Sequence, residues 1–231
     1  MPFDINDGEY DAKLASHLRT LPSQRITNNP QFYRNTGKRV ADIVLVVLTL
    51  PISLVLILGA ALLVALDGGN PFYTQRRIGQ GGREFRMLKL RTMVPNACSK
   101  LEQYLATNPA AKAEWDATQK LKNDPRITTI GRVLRKCSID ELPQLLNVLF
   151  GSMSLVGPRP MMVSQKGMYH GHGYYALRPG LTGFWQITDR NECDFRDRVQ
   201  HDDAYNRSVS FATDAVVILR TFNVVLRGTG Y

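Results

Sequence analysis

The fold turns on residues 38–66, Lys38-Arg39-Val40-Ala41-Asp42 followed by IVLVVLTLPISLVLILGAALLVAL. After Asp42 come 24 residues without a charge, 43–66. As a straight helix this run measures about 36 Å, enough to cross a hydrocarbon core of about 30 Å. Pro51 interrupts it a third of the way in, and a proline removes one backbone hydrogen bond and bends a helix. Both flanks are basic: Lys38 and Arg39 before the run, then Arg76, Arg77, Arg83, Arg86, Lys89 and Arg91 after it. Positive flanks stay on the cytoplasmic side of a membrane. A single crossing strands one of them, whereas a re-entrant helix over 37–68, broken at Pro51, keeps both on one side. The re-entrant form is therefore expected, with a single span as the competing arrangement. A break in lipid needs partners for the freed backbone groups, and Thr49 and Ser53 stand beside the proline to supply them.

The rest of the chain sets the context. It has 231 residues and a formal charge of +9, with a pI of about 9.6, so the preferred partners are anionic. The length suits one domain with appendages. Three dispersed cysteines, Cys98, Cys137 and Cys193, form no CxxC pair and suggest neither a disulfide framework nor a zinc site. Residues 1–36 are polar and mixed, and read as a loosely ordered arm without a signal-peptide pattern.

Downstream of the apolar run, Phe72-Tyr73-Thr74-Gln75 and Phe85-Arg86-Met87-Leu88-Lys89-Leu90 flank Gly79-Gln80-Gly81-Gly82, which predicts a β-hairpin. Period two puts Phe85, Met87, Lys89 and Arg91 on one face, apolar at one end and basic at the other. Residues 97–122 predict two helices broken at Asn108-Pro109. A further helix is expected over 128–136. The Gly- and Tyr-rich residues 164–176 read as a mobile loop, and 192–207 as a charged, solvated helix. The apolar residues of 212–226 make a helix too short to span, which packs on the core or lies at a membrane surface.

The chemistry concentrates at Ser138-Ile139-Asp140-Glu141-Leu142-Pro143, two adjacent carboxylates preceded by the basic residues Arg132, Arg135 and Lys136. Leu142, Leu145, Leu146 and Leu149 recur at helical spacing and predict one buried face. The bland reading of the carboxylates is helix capping: Ser138-x-x-Glu141 matches a capping box, and Asp140 suits a helix N-terminus, while Pro143 argues against the first register. Gly157-Pro158-Arg159-Pro160 holds an arginine between prolines, a fork for phosphate at low entropy cost. Arg178-Pro179-Gly180-Leu181-Thr182-Gly183 is a second rigid basic turn. Gln186 and Arg190 follow as polar candidates for a base, ribose or phosphate.

Taken in order, these segments resemble the bacterial sugar transferase family, the monotopic phosphoglycosyl transferases. The resemblance rests on Lys38-Arg39-x-x-Asp42 before a Pro-interrupted run, Gln75-x-Arg77-x-Gly79, Lys89-x-Arg91-Thr92-Met93 and Asp124-Pro125-Arg126-Ile127-Thr128. It continues through Ser138-x-Asp140-Glu141-Leu142-Pro143-Gln144, Gly157-Pro158-Arg159-Pro160 and Arg178-Pro179-Gly180-x-Thr182-Gly183. Each motif is weak alone; their ordered series over about 36–226 is specific. One departure is Leu50 before Pro51, where the family often has serine.

The resemblance implies an α+β, mostly helical, membrane-associated single domain over 37–231, with the re-entrant helix and a small β-hairpin. It implies an enzyme of exopolysaccharide synthesis on the cytoplasmic face of the bacterial inner membrane. Such an enzyme moves a hexose-1-phosphate from a UDP-sugar, UDP-galactose or UDP-glucose, to undecaprenyl phosphate and releases UMP. By the same resemblance Asp140 is the nucleophile and Glu141 holds Mg²⁺. Lys89, Arg91, Arg135, Arg159, Arg178, Gln186 and Arg190 bind substrate or phosphate. Lys38 and Arg39 lie at the lipid head groups, and Pro51 makes the membrane break. A homo-oligomer is left open. Two other classes compete: a membrane-anchored basic adaptor without catalysis, and a soluble nucleic-acid binder. The uncharged run and the lack of an aromatic, basic RNA motif count against the second, so nucleic acid is not an expected partner.

Overall fold

A computed structural model describes residues 30–118, 121–188 and 198–226. Residues 1–29 of the polar arm lie outside them. Pro30–Phe32 and a π-helical turn, Tyr33–Gly37, lead into the long helix α1, Lys38–Leu66. The expected division into two arms is absent, because α1 runs as one helix with Pro51 inside it. The proline leaves the Val47 carbonyl without its usual donor. The Thr49 hydroxyl donates to the Leu45 and Val46 carbonyls, and the Ser53 hydroxyl to those of Thr49 and Leu50. Back-bonding of this kind adapts a helix to a bend without breaking it.

The buried positions of α1 are Lys38, Asp42, Val46, Ser53, Ile57, Ala60, Ala61 and Val64. They follow helical spacing, so a single stripe faces the rest of the protein. Near its start, Asp42 accepts from the Ser154 hydroxyl at 2.8 Å and the Leu155 amide at 3.0 Å. Near its end, Ala60, Ala61 and Val64 pack with Leu90 and Leu134. Both ends of the apolar helix therefore rest on the same body. The opposite face exposes fourteen large apolar side chains between Val40 and Leu66.

Strands β1 (Phe72–Ile78) and β2 (Glu84–Leu90) form the expected antiparallel hairpin. Its turn contains Gly81 at φ 67° and Gly82 at φ 76°, where only glycine is unstrained. Met87 is buried against Val46, Leu145, Val148 and Met153, and Phe85 packs at their edge. Helices α2 (Ala97–Thr107) and α3 (Pro109–Thr118) meet at Asn108, whose side chain accepts from the Ala111 amide and so starts the second. Helix α4 (Thr129–Lys136) is capped by Thr128, which accepts from the Gly131 amide at 2.9 Å.

A single 3₁₀ turn, Ile139–Glu141, precedes the short helix α5, Gln144–Leu149. Leu142, Leu145 and Leu149 join the core as expected, but Leu146 faces outward because the turn before α5 breaks the helical phase. Strands β3 (Ser154–Val156) and β4 (Gly180–Thr182) pair in parallel and bring the two proline-bound turns together. A Cβ at Gly180 would lie 2.1 Å from the Gly157 nitrogen, so both turns need glycine at the crossing.

The remaining helices are α6 (Gly173–Ala176), α7 (Phe184–Ile187), α8 (Arg198–Ser208) and α9 (Phe211–Leu226). Two expectations change here. The segment read as a mobile loop holds Tyr169 and Tyr174 in the core, with the Tyr174 hydroxyl donating to the Ile78 carbonyl. The helix read as solvated buries Arg198, His201, Asp202, Ala204 and Tyr205. Tyr169 and Tyr174 pack with Ile78 and Met161, and Ala204 and Tyr205 with Phe184 and Val217, long-range packing that residue spacing alone does not encode. On α9, Asp214 and Val217 are buried while Phe211, Leu219 and Phe222 are exposed.

Candidate active site

The two carboxylates come to lie beside the basic end of the hairpin. Lys89, at the inward end of β2, places its Nζ 2.8 Å from Glu141 Oε1 and 3.8 Å from Asp140 Oδ2. Arg159 reaches the same Glu141 oxygen from the other side at 3.6 Å. Arg135, from the last turn of α4, donates to the Thr92 hydroxyl at 2.9 Å and adds positive potential at Asp140 and Glu141. Asp140 is 6% exposed. Burial pushes its carboxyl up, and Lys89 pulls it back toward ionisation.

Capping does not explain these carboxylates. Ser138 has a left-handed backbone, φ 56°, and makes no side-chain cap; Pro143 occupies the N-cap of α5, also without one. The left-handed residue ends α4 and turns the chain so that Asp140 faces Lys89. Ser138 donates its amide to the Arg135 carbonyl and accepts the Glu141 amide, which closes the turn.

A shallow cavity of ≈ 260 Å³ opens at this point, with Arg77, Lys89, Glu141, Gln144 and Arg159 among its walls. Trp185 supports it: the guanidinium groups of Arg159 and Arg198 lie 5.7 and 5.4 Å from its ring centroid. Arg198 also donates to the Arg159 carbonyl, and Arg77 to that of Pro160. These bonds fix the Pro-Arg-Pro turn. Burial, with repulsion from Arg159 and Arg198, pushes the Arg77 guanidinium down to about 10. The polar walls of the cavity are thus mostly cationic, with Glu141 of the carboxylate pair among them.

Several expected site residues lie elsewhere. Arg91 donates to the Val64 carbonyl at 3.0 Å and caps the end of α1. It lines a second cavity, ≈ 740 Å³, with Asp67, Lys100, Thr128 and Thr129. Arg178 donates to the Gly151 carbonyl. Gln186 is buried at the crossing of the two turns, its amide directed to the Leu181 carbonyl. Arg190 falls outside the described residues.

Lys38 and Arg39 also differ from expectation. Lys38 is 8% exposed and sits 2.6 Å from Asp214, so its charge is held inside the protein. Arg39 donates to the Val148 and Leu149 carbonyls, capping α5. In the other direction, Arg77 and Gln144 line the cavity, although sequence reasoning assigned them no role beyond membership of a motif. Their signal was present: both stand in the recurring patterns around the carboxylates and the hairpin.

Residues 33–228 match the model of the bacterial sugar transferase family. The chain belongs to the bacterial sugar transferase family. Among its relatives, the UDP-galactose-lipid carrier transferase of Erwinia amylovora is 43% identical over 213 residues, 89% of this chain and 44% of that protein. The exopolysaccharide production protein ExoY of Sinorhizobium fredii is 43% identical over 197 residues, 84% of this chain and 87% of its own length. The undecaprenyl-phosphate galactose phosphotransferase of Salmonella typhimurium is 44% identical over 195 residues, 84% of this chain and 41% of that protein. The chain thus spans under half the length of the first and third relatives and most of ExoY. In this sugar transferase chain the matched region contains the whole carboxylate–arginine cluster.

Proposed function

We propose that the protein is a phosphoglycosyl transferase that carries a hexose-1-phosphate from UDP-galactose or UDP-glucose to undecaprenyl phosphate, as the first membrane step of exopolysaccharide synthesis. The observation that carries this reading is the Asp140–Lys89–Glu141–Arg159 cluster. A buried carboxylate stands beside a cavity whose other polar walls are mostly cationic. The names of the relatives supply the substrate classes, and they weigh against a non-catalytic adaptor.

In the first step an Asp140 oxygen attacks the sugar-bearing phosphorus. A P–O bond forms, the bond to the bridging oxygen breaks, and UMP leaves with that electron pair. In the second step an oxygen of the lipid phosphate attacks the same phosphorus. The aspartyl–phosphate bond breaks, and the carboxylate is restored. Covalent catalysis of this kind divides one transfer into two. Lys89 and Arg159 balance the charge that builds on the phosphoryl oxygens, and Arg135 helps keep Asp140 ionised despite its burial.

The carboxylates fit Mg²⁺ of one type. Among the described residues no group of three His, Cys, Asp or Glu side chains could hold a metal ion. A hard ion that takes one or two carboxylates and completes its shell with substrate phosphates and water fits Glu141, which opens into the cavity. Bound there, Mg²⁺ would neutralise diphosphate charge.

The exposed apolar face of α1 supports attachment to the inner membrane, with the carboxylate cluster on the cytoplasmic side where nucleotide sugars are found. The test is UMP release from UDP-galactose and UDP-glucose by the membrane-inserted protein, with Mg²⁺ present or chelated. Release of up to one equivalent without lipid acceptor is expected, with chelation suppressing it. Asp140→Asn is expected to abolish transfer while leaving the protein folded. Full activity in Asp140→Asn would remove the nucleophile and with it the two-step mechanism.

A further inference from the structure

Gln144 is 3% exposed, and its side-chain nitrogen Nε2 has no hydrogen-bond partner. The Nε of Arg77 is buried and unpaired as well, while the other two guanidinium nitrogens hold the Pro160 carbonyl and the Gln75 amide oxygen. Both residues line the cavity beside Glu141. An unpaired buried donor costs the folded state the desolvation of that group, so two of them on residues that line one cavity need an explanation.

We infer that the Gln144 amide and the Arg77 Nε–H form a donor pair that binds a phosphoryl oxygen of the nucleotide-sugar diphosphate. Two observations select this ligand. Both orphan groups donate and neither accepts, so the ligand presents acceptors at this spot. The surroundings carry excess positive charge: Arg77 is repelled by Arg159 and Arg198, and Glu141 offsets only part of it. An anionic oxygen pairs both donors and relieves that repulsion at once, whereas a sugar hydroxyl does only the first. The rigid bonds of Arg77 to Pro160 and Gln75 then tie diphosphate binding to the Pro-Arg-Pro turn.

The inference rests on the transferase reading above, and its test separates the two. Gln144→Leu keeps an unbranched Cβ and comparable bulk and deletes the donor. UMP release by this variant is compared with wild type across UDP-sugar concentrations, together with the thermal midpoint with and without UDP. The expected result is a KM for UDP-sugar raised about 10- to 100-fold, the range for a lost hydrogen bond to a charged group. The thermal midpoint without ligand stays level or rises, because an unpaired donor has gone, and the stabilisation by UDP is largely lost. A wild-type KM and a wild-type UDP shift overturn the inference, as does a lowered midpoint with KM unchanged, which marks a structural glutamine. If wild type itself releases no UMP, the transferase reading fails, but the UDP-induced shift still tests the donor pair. Should Gln144→Leu fail to fold, the side-chain amide resonance of Gln144 in ¹⁵N-glutamine-labelled wild type gives the answer. Assigned by its absence in Gln144→Glu, it moves on saturation with UDP; an unmoved resonance overturns the inference.

Discussion

Asp202 illustrates how a single residue away from the carboxylate pair bears on the site. It accepts from the Tyr169 hydroxyl at 2.9 Å, next to Arg198, the residue that holds the Arg159 carbonyl and shares the Trp185 ring. Burial pushes its carboxyl up to about 7; Arg198 and the Tyr169 bond pull it down, and Asp203 pushes it further up. An acid whose pKa is higher folded than unfolded binds more protons in the native state. Its stabilising contribution is therefore complete below about pH 4, the unfolded value, and is lost as pH rises through about 7. Asp202→Asn should flatten this part of the stability profile. Urea midpoints measured between pH 4 and pH 8 check it, and a decline as steep in the variant as in wild type would show that other groups cause it.

Elements are tied together in this protein by charges aimed at helix ends and at one another. Arg39 caps α5, Arg91 caps α1, and Lys38 joins α1 to α9 through Asp214, which also accepts from the Tyr33 and Tyr205 hydroxyls. Removing one partner of such a buried pair leaves the other charge uncompensated, at a cost of about 3–5 kcal/mol. Lys38→Met should lower stability by that order, and Lys38→Met with Asp214→Asn should recover part of it. Denaturant midpoints measure both; a double variant no better than the single one would mean that the hydroxyls, not the ion pair, need the charge. These contacts also explain what the sequence could and could not disclose. Strand alternation put Lys89 on one face with Phe85 and Met87, and the Asp-Glu and Pro-Arg-Pro patterns singled out Asp140, Glu141 and Arg159, which folding brings together with Lys89. Lys38, Arg39, Arg91 and Arg178 are equally basic, yet they serve carbonyls or a carboxylate contributed by distant segments. A linear sequence marks a cation but not the partner that folding brings to it. The same gap hid Gln144, whose place in a motif says nothing about which way its amide turns.

At the scale of the molecule, α1 sets how the proposed transferase would meet a lipid acceptor. Charge at both flanks led to the expectation of a helix that dips and returns, with Pro51 as the break. The proline is instead taken into one helix, yet the two ends of that helix contact a single body, through Asp42 with Ser154 and through Val64 with Arg91. A helix crossing a bilayer has its ends about 30 Å apart on opposite sides, and one folded domain cannot hold both. The apolar face carrying Leu48, Ile52 and Val55 is therefore expected to lie in one leaflet, with residues before and after α1 on the same side. Single cysteines introduced as Thr36→Cys and Asn70→Cys, both exposed positions, in a variant freed of Cys98, Cys137 and Cys193, test this in sealed inverted vesicles. An impermeant thiol reagent should label both from the cytoplasmic side at comparable rates. Protection of one position that is lifted only by opening the vesicles would mean that α1 crosses the membrane, and that its contacts with the body are made at one end alone.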